Sequence, residues 1–445
     1  MVIGLGVSGL AAVRFLCDLG LEVSVSESRQ EERIDQAMLK EVRELGVAVE
    51  TGGHSDIFFR GAELIVPSPG VPLNLPVILQ AKNNGAVIAG ELALAAGRIS
   101  EPVIGVTGSN GKTTVTSLIG HLLKTANRRV FVGGNIGTPV LDYLRAPRAA
   151  EALVLELSSF QLEIGGDFRP DIGLLLNLTP DHLDRHGSLH RYAAAKRRIF
   201  ANQRVDDVAI IGADDPLVME EKITTSGKVL CFGVHPSSDA LVEERGVLVR
   251  GGTFDSDMDE LYELSGTALA SHVNRLNAAA AILAARAYGC DPEAIRQGLA
   301  GYAPPAHRMA LVAELDGIRY VDDSKGTNVG AVAAALASIG GRVVLIAGGR
   351  DKDSDFSLLA QSVRGYVRQL ILIGEAADRI EEQLGALAPV IRAASMQEAV
   401  RRAAEVAERG DTVLLSPGCA SFDMFTGYAH RGEVFQQAVA DLRKV

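Results

Sequence analysis

Apolar residues recur along this chain in short unbroken runs, separated by stretches with helical periodicity. Residues 64–66, 102–106, 152–156 and 173–177 are such runs in the first two thirds, and 22–26 (Glu-Val-Ser-Val-Ser) is a further short strand candidate. Residues 319–321, 342–347, 369–373 and 412–415 continue the series. A run with no polar alternation reads as a strand buried on both faces, the habit of parallel sheets covered by helices. The intervening stretches, such as 115–124, supply the crossovers that parallel strands need. The pattern predicts an α/β chain of three domains, each with a mostly parallel sheet. They span residues 1–91, 92–302 and 303–445, the last beginning before Pro304-Pro305. Within the second block, residues 233–266 are more polar and read as short strands and turns.

Composition narrows the function classes. The chain has 445 residues, 47% of them apolar and 22% charged, an ordinary globular balance. Its net charge of −11 argues against nucleic acid as a main partner, because a phosphate backbone needs a basic surface. A single nucleotide needs only a local basic pocket. Cys17, Cys231, Cys290 and Cys419 are scattered without a C-x-x-C pair, which favours free thiols in a reducing compartment. No apolar run has transmembrane length, and the first residues lack the basic segment of a signal peptide. The expectation is a cytoplasmic protein without membrane insertion, and a monomer.

The chemistry concentrates where strands end. Thr107-Gly108-Ser109-Asn110-Gly111-Lys112-Thr113-Thr114 follows a strand and opens a helix. That is the layout of a nucleoside-triphosphate cradle: glycines let backbone N–H groups converge on phosphate oxygens, and the helix N-terminus adds donors and a favourable dipole. Lys112 would offset β/γ-phosphate charge, and the Thr113 hydroxyl would sit on Mg²⁺. The spacing departs from G-x-x-x-x-G-K-[ST], since Val106 holds the first glycine position. Gly4-Leu5-Gly6-Val7-Ser8-Gly9 is a second glycine loop, and Glu27 lies where an acidic residue meets a ribose hydroxyl in dinucleotide folds. Taken alone it suggests NAD and an oxidoreductase, but a UDP-sugar satisfies the same diphosphate geometry.

Further polar groups follow other strands. Glu156 ends one, a common place for a carboxylate that holds Mg²⁺. Asn177-Leu178-Thr179-Pro180-Asp181-His182-Leu183-Asp184 crowds ligand-capable groups after another. Lys196 lies on a helix capped by Ser188, one turn beyond Tyr192 and beside small alanines. By itself it reads as a surface lysine, with Arg197 and Arg198 facing solvent. Asp322-Asp323-Ser324-Lys325-Gly326-Thr327-Asn328, Gly348-Gly349-Arg350-Asp351-Lys352 and Ser416-Pro417-Gly418-Cys419-Ala420-Ser421-Phe422-Asp423 each follow a strand. Three such loops predict one binding crevice at the carboxyl ends of a parallel sheet.

These segments taken together, from the first glycine loop to Arg431-Gly432-Glu433, resemble the Mur ligases over nearly the whole chain. Single pieces recur in folylpolyglutamate synthetases. The resemblance implies a Rossmann-like UDP-binding domain, a central P-loop ATPase-type domain and a Rossmann-like C-terminal domain. It also implies an activity: ATP-dependent addition of D-glutamate to UDP-N-acetylmuramoyl-L-alanine through an acyl-phosphate, for peptidoglycan precursors. A sibling ligase using L-glutamate or another amino acid, and a non-catalytic nucleotide-binding module, are the neighbouring readings.

The resemblance also implies residue roles. Val7, Ser8, Glu27, Ser28, Arg29, Asn135, Gln161 and His182 would meet the UDP-sugar. Gly108, Ser109, Asn110, Gly111, Lys112, Thr113, Thr114, Asn274, Asn277, Arg308, Asp323 and Lys325 would meet ATP. Thr327, Lys352, Ser421 and Phe422 would meet glutamate. Thr113, Glu156, His182 and Lys196 would serve two Mg²⁺, Lys196 as an N-carboxylated carbamate, which turns a cation into an anion. Lys112, His182 and Lys196 would act in catalysis, His182 as a candidate base for the amine. The chain departs from its relatives in one place: Val273 separates His272 from Asn274, where His and Asn tend to be adjacent.

Overall fold

Each of the apolar runs forms a strand, and the strands gather into three sheets. The computed structural model describes residues 1–442 with the exception of 148, 255, 352 and the side chain at 184. Two compact units result. The first comprises residues 1–177, 193–263 and 277–300, and the second 178–192, 264–276 and 301–445.

The first unit holds two sheets. One has five parallel strands in the order Ala48–Thr51, Ser24–Glu27, Val2–Ile3, Leu64–Pro67 and Val87–Ile88. The other runs Val130–Gly134, Ala152–Glu156, Val103–Thr107, Ile172–Leu175, Val208–Gly212, Lys228–Gly233 and Ala240–Val242, all parallel. Gly246–Val249 and Glu260–Glu263 extend it antiparallel, and these are the short strands expected in the polar stretch. Val103–Thr107 is buried throughout at the centre. The next strands in sequence go to one side of it and then to the other, so its carboxyl end is a switch point of the topology, where open α/β sheets bind ligands.

The second unit holds a six-stranded sheet, in the order Ala310–Leu315, Ile318–Asp322, Thr412–Leu415, Val343–Gly348, Val367–Ile373 and Val390–Arg392. Only the first strand is antiparallel. Successive residues of Val343–Gly348 feed opposite cores. Leu345 packs with Phe356, Leu370 and Leu372, while Val344 and Ile346 pack with Ile371, Val413 and Phe435. Burial on both faces explains why these strands read as unbroken apolar runs. Ile318–Asp322, Thr412–Leu415 and Val343–Gly348 are neighbours, so the three polar loops that follow them emerge side by side.

Candidate active site

The phosphate loop is built as its sequence suggests. Gly108 and Gly111 have φ of +153° and +84°, and Gly111 is the N-cap of helix Lys112–Thr125. A Cβ on Gly111 would lie 2.5 Å from Asn277 Oδ1. Both the left-handed backbone and the close approach therefore require glycine. Asn177 holds the loop from the next strand: its Oδ1 accepts from Asn110 N at 2.8 Å, and its Nδ2 donates to Asn110 O at 3.1 Å. The Lys112 ammonium folds back onto Gly108 O and Ser109 O, both at 2.8 Å. A cation that borrows loop carbonyls in this way is poised to exchange them for phosphate oxygens.

Beside the loop, Glu156 is buried at 2% exposure. Its carboxylate accepts from Thr113 Oγ1 at 2.6 Å and from Asn135 Nδ2 at 2.9 Å. A hydroxyl, a carboxylate and an amide are hard oxygen-donor groups of the kind that hold Mg²⁺ together with phosphate and water. No group of three or more His, Cys, Asp or Glu converges on one point among the described residues. The donor set fits Mg²⁺ carried in with phosphates better than an all-protein cage.

Lys196 overturns its plain sequence reading. It is 2% exposed, and its Nζ donates to Gly108 O at 2.8 Å from helix Leu189–Arg197. Ser188 Oγ accepts from Arg191 N at 3.3 Å, which is the expected cap. Arg197 does not face solvent in the way its sequence position suggests. Its guanidinium pairs with Glu221 at 2.8 Å and donates to Leu217 O, because this face of the helix packs on its own unit. Arg198 is exposed, but its Nε reaches Leu162 O.

Gln161 serves local structure. Its Oε1 accepts from Ser158 in a capping box, and its Nε2 donates to Glu91 Oε2 at 3.2 Å. Glu91, which sequence reasoning missed, also accepts from Val140 N at 2.7 Å. Burial pushes its carboxyl up, against the pull of those donors.

The N-terminal loop is likewise tight. A Cβ on Gly9 would lie 2.0 Å from Gly4 O, whereas none would touch anything at Gly6, the N-cap of helix Val7–Asp18. Val7 and Ser28 are exposed, Ser8 is half-buried, and the Arg29 side chain is 45% exposed. Glu27 is 3% exposed, and both its oxygens are engaged. Oε2 accepts from Leu5 N at 2.7 Å and Arg29 Nη2 at 2.8 Å, and Oε1 from Arg29 N at 2.9 Å. Burial pushes this carboxyl up, but the Arg29 side chain and the two backbone N–H groups together hold it at about 2. Glu27 fastens the glycine loop and does not offer an open acceptor to a ribose.

The sign of the pH effect follows. A folded value of about 2 against an ordinary 4.5 means the stabilisation is complete above pH about 4.5 and is lost as pH falls through about 2. It amounts to about 3 kcal/mol. Urea unfolding of the wild type and Glu27→Gln should differ most near neutrality and converge towards pH about 2. A gap independent of pH would refute the charge-based account.

In the second unit, the crevice loops are tied together by Arg431, which has no exposed surface. It donates to Ser324 Oγ and O at 3.0 and 2.8 Å, to Cys419 O at 3.1 Å and to Ala420 O at 3.3 Å. Burial lowers its guanidinium to about 10. Arg350 and Ala420 exchange backbone bonds at 2.9 and 3.0 Å, so all three loops meet. Asp323 is buried, and burial pushes its carboxyl up to about 7, although Ser416 Oγ donates to it at 2.8 Å. The Lys325 ammonium lies 4.8 Å from the Tyr428 ring centroid. Thr327 is half-buried, Ser421 is buried, and Phe422 is 64% exposed. Lys352 lies outside the described residues. His182 has φ of +54°, and Asp181 accepts from its N at 2.9 Å and from Asn328 Nδ2 at 3.2 Å. Asn274 lies in the first turn of helix His272–Ala287, and its Nδ2 donates to Ala268 O at 3.1 Å.

Three family models match in succession: the Mur ligase MurD-like N-terminal domain over residues 1–90, the Mur ligase middle domain over 106–285, and the Mur ligase glutamate ligase domain over 307–419. A Desulfotalea psychrophila protein named UDP-N-acetylmuramoylalanine--D-glutamate ligase is 45% identical, covering 100% of this chain and 96% of its own. One of the same name from Syntrophotalea carbinolica is 41% identical, over 100% and 97%. Among solved structures, a pseudomurein peptide ligase type C from Methanothermus fervidus superposes with a TM-score of 0.63 at 19% identity, covering 99% of both chains. MurF ligase from Thermotoga maritima, in complex with ADP, gives 0.62 at 19%, covering 99% of this chain and 98% of its own. These two likenesses establish the fold. The full-length identity to the curated relatives establishes more: the chain belongs to the Mur ligase family.

Proposed function

We propose that this chain uses ATP to join D-glutamate to UDP-N-acetylmuramoyl-L-alanine in the synthesis of peptidoglycan precursors. The observation that carries the reading is the phosphate loop with Lys112, Thr113 and Glu156 in one constellation, within a chain that matches D-glutamate ligases end to end. The engaged carboxylate of Glu27 disfavours the dinucleotide alternative.

The chemical difficulty is electrostatic, since the alanyl carboxylate must approach a triphosphate. The N-terminus of helix Lys112–Thr125 and the Lys112 ammonium would orient the phosphates and offset their charge. The carboxylate attacks the γ-phosphorus, ADP leaves, and an acyl-phosphate remains. The amine of D-glutamate attacks the acyl carbon, and phosphate leaves. His182 is the candidate acceptor of the amine proton. Thr113, Glu156, His182 and Lys196 would hold Mg²⁺ at two sites, and the metal would supply charge neutralisation on the phosphates. An N-carboxylated Lys196 retains one N–H, so its bond to Gly108 O survives while a carboxylate is added beside the loop. Val7, Ser8, Ser28, Arg29, Asn135 and Gln161 are assigned to the UDP-sugar. Asn274, Asn277, Arg308, Asp323 and Lys325 are assigned to ATP, and Thr327, Lys352, Ser421 and Phe422 to glutamate.

The acyl-phosphate step has a direct test. With an oxygen label in the alanyl carboxylate, one labelled atom per turnover should appear in the released phosphate. Unlabelled phosphate would exclude an acyl-phosphate.

A further inference from the structure

Arg308 lies between two non-glycine residues in the left-handed region, His307 with φ of +62° and Met309 with φ of +49°. Each such residue costs about 1 kcal/mol or more, so this strap persists only because its surroundings fix it. Two adjacent carboxylates do so. Asp322 has no exposed surface. Its Oδ2 accepts from His307 Nδ1 at 2.7 Å and Gln436 Nε2 at 2.8 Å, and its Oδ1 from Ser324 N at 2.9 Å. On the other side of Arg308, Asp323 Oδ1 accepts from Met309 N at 3.3 Å. The carbonyl of His307 accepts from Lys325 N at 3.1 Å. Helix Tyr428–Leu442 closes the seat from behind. A Cβ on Gly432 would lie 2.1 Å from His307 Nδ1 and 2.8 Å from Asp322 Oδ2.

We infer that Asp322 is a positioning residue for Arg308: it grips the His307 ring and so holds the strained strap that presents the guanidinium. The inference rests on the reading of Arg308 as a nucleotide contact. A carboxylate suits the task because it only accepts, and three donors converge on it. An amide in its place would turn an N–H₂ group towards the Gln436 amide and the His307 ring.

The test is steady-state kinetics of the full chain with Arg308→Ala, Asp322→Asn and the double variant. Asp322→Asn should raise KM for ATP about tenfold, the loss expected for a buried charged hydrogen bond, and leave KM for the UDP-sugar unchanged. The double variant should be no worse than Arg308→Ala, because both act through one group. A merely structural role would lower Tm without this selective rise. An unchanged KM for ATP in Asp322→Asn, or full additivity with Arg308→Ala, overturns the inference while the nucleotide role of Arg308 stands. No effect of Arg308→Ala on ATP overturns both. Should Asp322→Asn fail to fold, Gln436→Met removes one of the three donors. It should raise KM for ATP about threefold, a smaller loss in the same direction, and no rise overturns the inference.

Discussion

Lys112→Ala should abolish ligation while leaving UDP-sugar binding in place. The Lys112 ammonium donates to Gly108 O and Ser109 O, and the loss of such bonds costs the fold about 1 kcal/mol. The reaction loses a positive charge where negative charge concentrates during phosphoryl transfer. Removing such a group costs about a thousandfold in turnover, or about 4 kcal/mol. The measurement is phosphate release at saturating substrates, with UDP-sugar affinity followed separately by calorimetry. Near-wild-type turnover would remove the phosphate-loop assignment. Loss of UDP-sugar binding in parallel would mean that the substitution had damaged the unit as a whole.

The second large effect is expected at Lys196. Lys196→Ala should lower turnover about a hundredfold or more and raise the Mg²⁺ concentration needed for half-maximal rate. Truncating a buried side chain that donates to Gly108 O also costs about 1–3 kcal/mol of stability. Activity should therefore be compared well below the Tm of the variant. Depletion of bicarbonate should depress the wild type reversibly and leave the variant unaffected. Equal Mg²⁺ requirements, together with a wild type indifferent to bicarbonate, would contradict the carbamate.

The phosphate loop was legible in the sequence because every part of it is local: strand, glycines, Lys112-Thr113 and helix follow one another without interruption from Val103 to Thr125. The sheets were legible for a related reason, since strands buried on both faces leave no polar alternation. What escaped depends on distant partners. Lys196 reads as a surface group until the fold brings Gly108 O to it across 88 residues. Arg431 is a positive charge on a helix until its bonds to Ser324, across 107 residues, are seen. The place of Glu27 at a strand end was legible, but its bonds to Leu5 N and Arg29 were not, because spacing marks a position and cannot tell an open carboxylate from an engaged one. The roles of Asn177 and Glu91 carried no sequence signal beyond their place at element ends.

The central claim is tested most directly by phosphate release with ATP, Mg²⁺ and UDP-N-acetylmuramoyl-L-alanine, comparing D-glutamate, L-glutamate and no amino acid. The account predicts sustained release with D-glutamate alone. Release with L-glutamate in its place would contradict the acceptor and keep the chemistry. No release with any acceptor, from protein that binds ATP, would contradict the ligase itself.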